Sequence, residues 1–296
     1  MWVVKKKKYN CEKEYVNYTA EQLSDIVLSK RDFARVKDLL YNYSGIDLHE
    51  GKEALVRARL MKRVRKLGVG SFSEYLDYVE SEASGAEFLA LVDVLTTNKT
   101  SFFRESQHFD FLNEEVIPKM NGREYRWWSA GCSSGEEPIT LAMNLLENNA
   151  CGKRFKVKIL ATDLSRDVLR KAKTGLYTPE NLRDMPDYFL RKYFEKPAGV
   201  QNGFQVSDAV HSMITYGRLN LQEAWPLKGP FHIIMCRNVM IYFNRQTQQQ
   251  LVSRFYDLLE PGGYLFLGHS ESVTGKNHGF INIRPAVYQK SGGRTE

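Results

Sequence analysis

The segment Tyr125-Arg126-Trp127-Trp128-Ser129-Ala130-Gly131-Cys132-Ser133-Ser134-Gly135-Glu136-Glu137 runs from an apolar strand through a glycine-bearing turn into a helix extending to about Asn148. The same texture repeats downstream. Val157 to Thr162 reads as a second strand ending at Asp163, and Ser165 to Lys173 resumes helical spacing. Phe231 to Cys236 and Tyr264 to Gly268 read as further strands, separated by a helix from about Thr247 to Leu259. That helix stops at Glu260-Pro261-Gly262-Gly263, because Pro-Gly-Gly cannot continue it. Strands alternating with helices imply a parallel sheet, closed by a last strand around Pro285 to Lys290.

Between the second and third of these strands lies a long stretch, Gly175 to Pro230. Within it Phe204 to Val206, Met213 to Tyr216 and Arg218 to Leu221 read as short strands of an inserted antiparallel ribbon. The Gly- and Asn-rich Pro197 to Gly203 fits a hairpin turn there. Towards the N-terminus, residues 30 to 95 read as short helices. Phe33, Val36, Leu39, Leu40 and Tyr43 recur at three- and four-residue steps, and Leu55 to Leu67 and Phe72 to Val79 follow the same rule. Gly68 to Ser71 offers a glycine stop and then a serine cap for the next helix.

The 296 residues suffice for one large α/β domain and a smaller companion, and 43% hydrophobic residues supply a sizeable core. No apolar run approaches the roughly 20 residues that cross a bilayer, and the first residues do not form a signal peptide. Cys11, Cys132, Cys151 and Cys236 include no Cys-x-x-Cys pair, which argues against a disulfide framework or a zinc site and fits a reducing, cytoplasmic setting. The formal charge of +7 suits nucleic acid, anionic lipid or an acidic protein, without choosing among them. About half of that surplus is the Lys5–Lys8 run, read as a solvated tail.

In the loop Ser129 to Glu137, Gly131 and Gly135 permit close approach of a ligand to the backbone at the carboxyl end of the sheet. The loop departs from Gly-x-Gly-x-x-Gly and lacks the Lys-Ser/Thr ending of a phosphate-binding loop, so a plain strand-to-helix turn would also account for it. Asp163 can accept hydrogen bonds from both ribose hydroxyls of an adenosine, a device shared with nicotinamide enzymes. The Glu260 to Tyr264 turn before an apolar strand resembles one common among class I methyltransferases, a likeness that tips the choice towards S-adenosylmethionine, and it serves equally as a helix stop.

Four segments then decide. Thr96-Thr97-Asn98-Lys99-Thr100-Ser101-Phe102-Phe103-Arg104-Glu105, Gly135-Glu136-Glu137-Pro138, Ala161-Thr162-Asp163 and Cys236-Arg237-Asn238-Val239-Met240-Ile241-Tyr242-Phe243 together closely resemble the CheR family of chemoreceptor glutamate methyltransferases. The likeness runs in order from about Phe33 to Lys290, ending with Gly268-His269-Ser270-Glu271-Ser272. It implies a class I S-adenosylmethionine-dependent methyltransferase domain of Rossmann-like α/β fold, with a small antiparallel β insertion, preceded by an all-α N-terminal domain.

On this reading the chain divides into an N-terminal tail over 1–28, a helical receptor-recognition domain over 29–95 and a linker over 96–108 that contributes to the cofactor site. The methyltransferase domain follows over 109–290, with its β-subdomain at about 194–218, and then a tail over 291–296.

The resemblance also implies that Asn98, Thr100 and Arg104 lie over the cofactor, that Glu136 and Asp163 bind it from the sheet, and that Asn220 and Leu221 flank the adenine. Arg237 and Asn238 would line the pocket and Tyr242 would face the methyl group, with Arg104 and Tyr242 the residues nearest the chemistry. The plain alternatives are that Asn98 and Thr100 cap a helix, and that Phe102, Phe103 and Tyr242 are packed.

The expected cofactor is S-adenosylmethionine, leaving S-adenosylhomocysteine, with no metal. A glutamate carboxylate is ionised at neutral pH, so no general base is required and the absence of a catalytic triad is explained.

Helical spacing puts Arg59, Lys62, Arg63 and Lys66 along one face of the Lys52 to Lys66 helix, with Arg65 near its edge. The resemblance implies that this face docks on the acidic coiled coil of a methyl-accepting chemoreceptor, with Arg59 and Arg65 on the matching positions; the charge pattern adds Lys62 and Arg63 as substrate-binding residues, and a solvated helix face is the plain alternative. In relatives the antiparallel subdomain can bind a receptor C-terminal peptide as a tether. The turn here lacks the expected glycine pattern, which leaves tethering open. Rival readings are a nucleic-acid methyltransferase, against which stands the lack of Asn/Asp-Pro-Pro-Tyr and Pro-Cys motifs, and a non-catalytic cofactor-binding module. Neither nucleic acid nor membrane insertion is expected.

Overall fold

The computed structural model describes residues 26–121, 124–150, 156–273 and 279–292. The Lys5–Lys8 run, Cys11 and Cys151 lie outside them. Contacts divide the described residues into two compact units: one holds those up to Leu39 together with Leu48–Leu95, and the other holds Leu40–Asp47 together with those from Thr96 onward.

The first unit is built from helices α1 (Lys30–Ser44, of which the first part belongs here), α2 (Glu53–Leu67), α3 (Phe72–Ser81) and α4 (Ala86–Leu95). The α2 helix buries Val56, Leu60, Met61 and Val64, the stripe its spacing predicts. Gly68 adopts the left-handed conformation and returns its N–H to Val64 and Arg65 carbonyls, while the Ser71 hydroxyl accepts the Glu74 N–H at the start of α3. Polar ties close the unit. Arg63 meets Glu87 with two nitrogens, the Tyr75 hydroxyl donates to the same carboxylate at 3.0 Å, and Arg59 donates to the Leu95 carbonyl at 2.7 Å.

The second unit is a doubly wound sheet. Its strands are β1 (Glu124–Ala130), β2 (Lys156–Asp163), β6 (Ile214–Arg218), β7 (Phe231–Cys236), β8 (Leu259–Leu267), β9 (Phe280–Arg284) and β10 (Val287–Lys290), in the order β6-β2-β1-β7-β8-β10-β9. The first five run parallel, and β10 is antiparallel to both β8 and β9. The two tryptophans of β1 show why both faces are covered. Successive side chains point oppositely, so Trp127 packs in the core on one face and Trp128 in the core on the other. Before the sheet comes the short helix α5 (Gln107–Phe111). The β-α crossovers use α6 (Glu136–Ala150), α7 (Arg166–Thr174), capped by the buried Ser165, and α10 (Arg245–Leu258), capped by Asn244.

A separate antiparallel sheet, order β3-β5-β4, joins β3 (Leu176–Tyr177), β4 (Phe194–Glu195) and β5 (Phe204–Val206), with short helices α8 (Asp187–Tyr193) and α9 (Asp208–His211) beside its strands in sequence. The fold class is as expected, but three local readings change. Ile214–Arg218, read as part of the ribbon, is the parallel edge strand of the main sheet, and the ribbon takes Leu176 and Tyr177 instead. A five-residue alternating segment carries no mark of which sheet it joins; its partner β2 decides. The Pro261-Gly262-Gly263 turn lies inside β8 as an irregularity between the Leu259 and Tyr264 pairings, because the ladder with β7 resumes after it. Finally, β9 pairs with β10 as an exposed edge that the sequence reading did not include.

Candidate active site

The strand order reverses between β1 and β7, and the carboxyl ends of these strands flank the position at which open α/β sheets bind ligands. Leaving β1, the chain turns through Gly131 (φ +93°) and Gly135 (φ +98°). The free space at these glycines is taken by the protein itself. A Cβ on Gly131 would lie 2.4 Å from Val239 Cγ2, and one on Gly135 would lie 2.8 Å from the Tyr177 hydroxyl and 3.0 Å from the Ala172 Cβ. Both glycines therefore let the loop nest against its neighbours.

Asp163, at the end of β2, accepts the Ser133 N–H at 2.8 Å and the Ser165 N–H at 2.9 Å, so one carboxylate pins the glycine loop and the next turn together. Its own carbonyl accepts the Leu219 N–H at 3.0 Å, which brings the Asn220–Leu221 segment alongside. Asn220 is buried, donating to the Tyr43 carbonyl at 2.6 Å and accepting from the Gln222 N–H at 3.0 Å. Leu221 is likewise buried.

Glu136, the first residue of α6, is 1% exposed and is held by the Ser134 hydroxyl at 2.7 and 2.9 Å. Burial pushes its carboxyl above the usual range, partly offset by Ser134. A carboxylate at this helix start is unfavourable for a phosphate and favourable for a cationic group, which separates the loop from a dinucleotide cradle.

The stretch from Thr96 to Glu105 closes over this edge. The Asn98 carbonyl accepts the Ser133 hydroxyl at 2.8 Å, and the Asn98 amide donates to Thr96 at 3.1 Å. Thr100 is half-buried, and Arg104 donates to the Lys99 carbonyl at 2.8 Å. Phe103 and Glu105 both have positive φ, an uncommon conformation for residues other than glycine, which turns Phe102 into the core against Tyr177 and Phe194. The Tyr242 hydroxyl lies 3.5 Å from the Thr97 carbonyl and joins this stretch to the turn after β7.

In that turn Arg237, buried beside Phe109, is shared between Glu137 at 3.0 Å and Glu105 at 3.1 Å, and it also donates to the Arg104 carbonyl. Asn238 (φ +58°) donates its side-chain amide to Glu105 at 3.2 Å. Burial alone would raise the Glu105 carboxyl, but Arg237 and the Asn238 and His269 donors hold it below the usual range. Burial raises Glu137, against the pull of Arg237 and Ser129.

Glu105, His108 and His269 bring ligand-type atoms within 4.8 Å of one another. Both oxygens of Glu105 already accept protein donors, and the Arg237 guanidinium beside them repels a cation. The sequence alone gives Glu105, Glu137 and Glu271 no role. The signal available was acidic residues inside the quoted motifs, at positions where apolar neighbours demand a specific partner.

The substrate-facing residues expected on α2 belong to the helical unit. Lys62 and Arg65 are exposed, whereas Arg59 and Arg63 are half-buried and committed to Leu95 and Glu87.

The sheet order with its antiparallel last pair, the aspartate at the end of β2 and the acidic start of α6 are those of a class I S-adenosylmethionine-dependent methyltransferase. Comparison with known proteins narrows this. Residues 98–288 match the CheR methyltransferase SAM binding domain, and residues 31–96 match the CheR methyltransferase all-alpha domain. The chain therefore belongs to the CheR family of chemotaxis methyltransferases. It is 40% identical over 278 residues to a chemotaxis protein methyltransferase of Borreliella burgdorferi, covering 90% of this chain and 96% of that one. It is 38% identical over 268 residues to the chemotaxis protein methyltransferase of Escherichia coli, covering 90% and 93%. Among the described residues no helix is long and apolar enough to cross a membrane.

Proposed function

We propose that this protein transfers the methyl group of S-adenosylmethionine to glutamate side chains of methyl-accepting chemoreceptors in the cytoplasm, leaving glutamate methyl esters and S-adenosylhomocysteine. The observation that carries the reading is the acidic carboxyl edge of the sheet, where Asp163 and Glu136 flank a loop that lacks a phosphate-binding lysine. Asp163 suits the ribose hydroxyls, Asn220 and Leu221 suit the adenine, and Glu136 suits the cationic amino acid end. Asn98, Thr100, Arg104, Arg237 and Asn238 form the remaining walls. Bound S-adenosylmethionine supplies a methyl group activated by its sulfonium.

The chain's own contribution is orientation and exclusion of water. A substrate carboxylate with a reference pKa of about 4.3 arrives ionised and needs no base. The Tyr242 hydroxyl orients it by a hydrogen bond, and Arg104 holds the cofactor rather than the carboxylate, since an ion pair to the nucleophile would stabilise the ground state. Lys62 and Arg65 meet the acidic receptor surface, while Arg59 and Arg63 give part of their hydrogen bonding to their own unit.

Incubation with radiolabelled S-adenosylmethionine and receptor-containing membranes should yield an alkali-labile methyl ester. Turnover should drop about 100-fold in Tyr242→Phe, the lower end of the loss seen when an oriented donor is removed. Label that resists alkali, or label in nucleic acid, would refute the reading. Lys62→Glu combined with Arg65→Glu should raise the receptor KM about tenfold with S-adenosylhomocysteine affinity unchanged, a loss of about 1.4 kcal/mol in encounter alone.

A further inference from the structure

The motif Gly268-His269-Ser270-Glu271-Ser272 has no part in the function proposed above, yet its one carboxylate accepts three backbone N–H groups. Leaving β8, the chain turns back so that the Glu271 N–H reaches the Gly268 carbonyl at 2.8 Å, and the Glu271 side chain, 8% exposed, points at the turn after β7. Its Oε2 accepts the Asn238 N–H at 2.8 Å and the Gly268 N–H at 2.6 Å, and its Oε1 accepts the Ile241 N–H at 3.1 Å. Asn238 and Ile241 sit at the start of the short 3-10 turn Met240–Tyr242, where backbone donors lack helical partners. A residue 33 positions away in sequence therefore does the work of an N-cap for the turn that carries Tyr242.

The approach is close enough to exclude a side chain at Gly268. A Cβ there would lie 2.5 Å from the Asn238 amide nitrogen and 2.9 Å from Glu271 Oε2. Glu105 grips the same turn from another side, through the side chains of Arg237 and Asn238, and accepts the His269 N–H at 3.2 Å. Asn238 is thus held by two carboxylates at once, one on its backbone and one on its side chain, in a left-handed conformation that asparagine adopts more readily than most residues.

We propose that Glu271 is a positioning residue for methyl transfer, which sets the Asn238–Tyr242 turn by accepting backbone N–H groups with both carboxylate oxygens. The inference rests on the reading of Tyr242 as the residue beside the reacting carboxylate. Glutamine at 271 keeps the shape but has one acceptor oxygen in place of two and turns an NH₂ towards backbone N–H donors. A displacement of the turn by about 1 Å is enough to cost about 100-fold in rate.

The test uses the full chain with receptor membranes and compares wild type, Glu271→Gln, Tyr242→Phe and the double variant. Glu271→Gln should lower kcat about 10- to 100-fold while leaving the receptor KM within about twofold. In the double variant the two losses should not multiply, because Glu271 acts through the turn that carries the tyrosine. Wild-type kcat in Glu271→Gln, or losses that multiply in the double variant, would overturn the proposal while Tyr242→Phe still reports on the pocket. If Glu271→Gln does not fold, Glu271→Asp is assayed instead. It keeps the charge but is one methylene too short to reach both sides of the turn, and wild-type kcat in it sinks the proposal equally. Failure of the wild-type protein to form any methyl ester would instead strike the proposed function.

Discussion

In the helical unit, Arg63 meets Glu87 through two guanidinium nitrogens, and that carboxylate also accepts the Tyr75 hydroxyl, so one cation faces one anion and every partner is used. In the sheet unit, Arg237 is divided between Glu105 and Glu137, so two anions face one cation, and the Arg237 Nε and both ring nitrogens of His108 have no hydrogen-bond partner among the described residues. Both clusters are largely buried, and both would be costly to break. The first is closed and neutral, the arrangement that fixes α2, α3 and α4 to one another. The second carries surplus negative charge and unspent hydrogen-bonding capacity at the ligand end of the sheet, which stability alone does not call for. Where a fold keeps such groups, function is the reason to consider first.

The sharpest way to break the comparison is to remove each arginine in turn. Arg237→Met leaves two buried carboxylates without a counter-charge and should cost about 3–5 kcal/mol in denaturant unfolding, with loss of S-adenosylhomocysteine binding in calorimetry. Arg63→Met should cost somewhat less, about 2–4 kcal/mol, because that pair is partly open to solvent, and it should leave cofactor affinity unchanged. Equal loss of cofactor affinity in both variants would erase the distinction.

A second prediction sharpens the contrast through pH. Burial, with the Arg237 charge close by, lowers the His108 pKa from 6.5 to about 3, so the folded protein binds fewer protons than the unfolded chain between those values. Stability should therefore fall as pH drops from about 6.5 towards 3, by up to about 1.4 kcal/mol per pH unit from this group. His108→Phe should flatten that part of a thermal midpoint against pH curve, and an unchanged slope would show that other groups dominate it. The smallest effect belongs to the helical unit. Ser71→Ala removes the hydroxyl that accepts the Glu74 N–H and should cost about 1 kcal/mol with no change in methyl transfer.

What the sequence made legible was whatever local chemistry dictates. The stripe on α2, the Gly68 stop, the Ser71 cap and the strand–glycine–helix passage at Tyr125 to Glu137 each depend on a few neighbouring residues. What it hid depends on pairing across the chain. Whether Ile214–Arg218 joined the ribbon or the main sheet was decided by β2, and Arg63 went to Glu87 because α4 brings that carboxylate within reach. The roles of Glu105 and Glu271 were hidden for the same reason: each is an ordinary acid until the turn it grips, more than 30 positions away, is in place.

The last turn of α1 bears on how this polypeptide can be partitioned. The all-alpha family match takes in residues 31–96, yet Leu40–Asp47 packs as part of the sheet unit. There Tyr43 receives the Asn220 amide, Tyr41 receives the Asn244 amide, and the Asp47 N–H reaches the Tyr242 carbonyl. A gene cut at the family boundary would thus sever eight residues from the body they brace. The catalytic half, expressed from Thr96 onward, would start life without the strap behind its own tyrosine, so the units that folding recognises and the units that a sequence match recognises are not interchangeable parts.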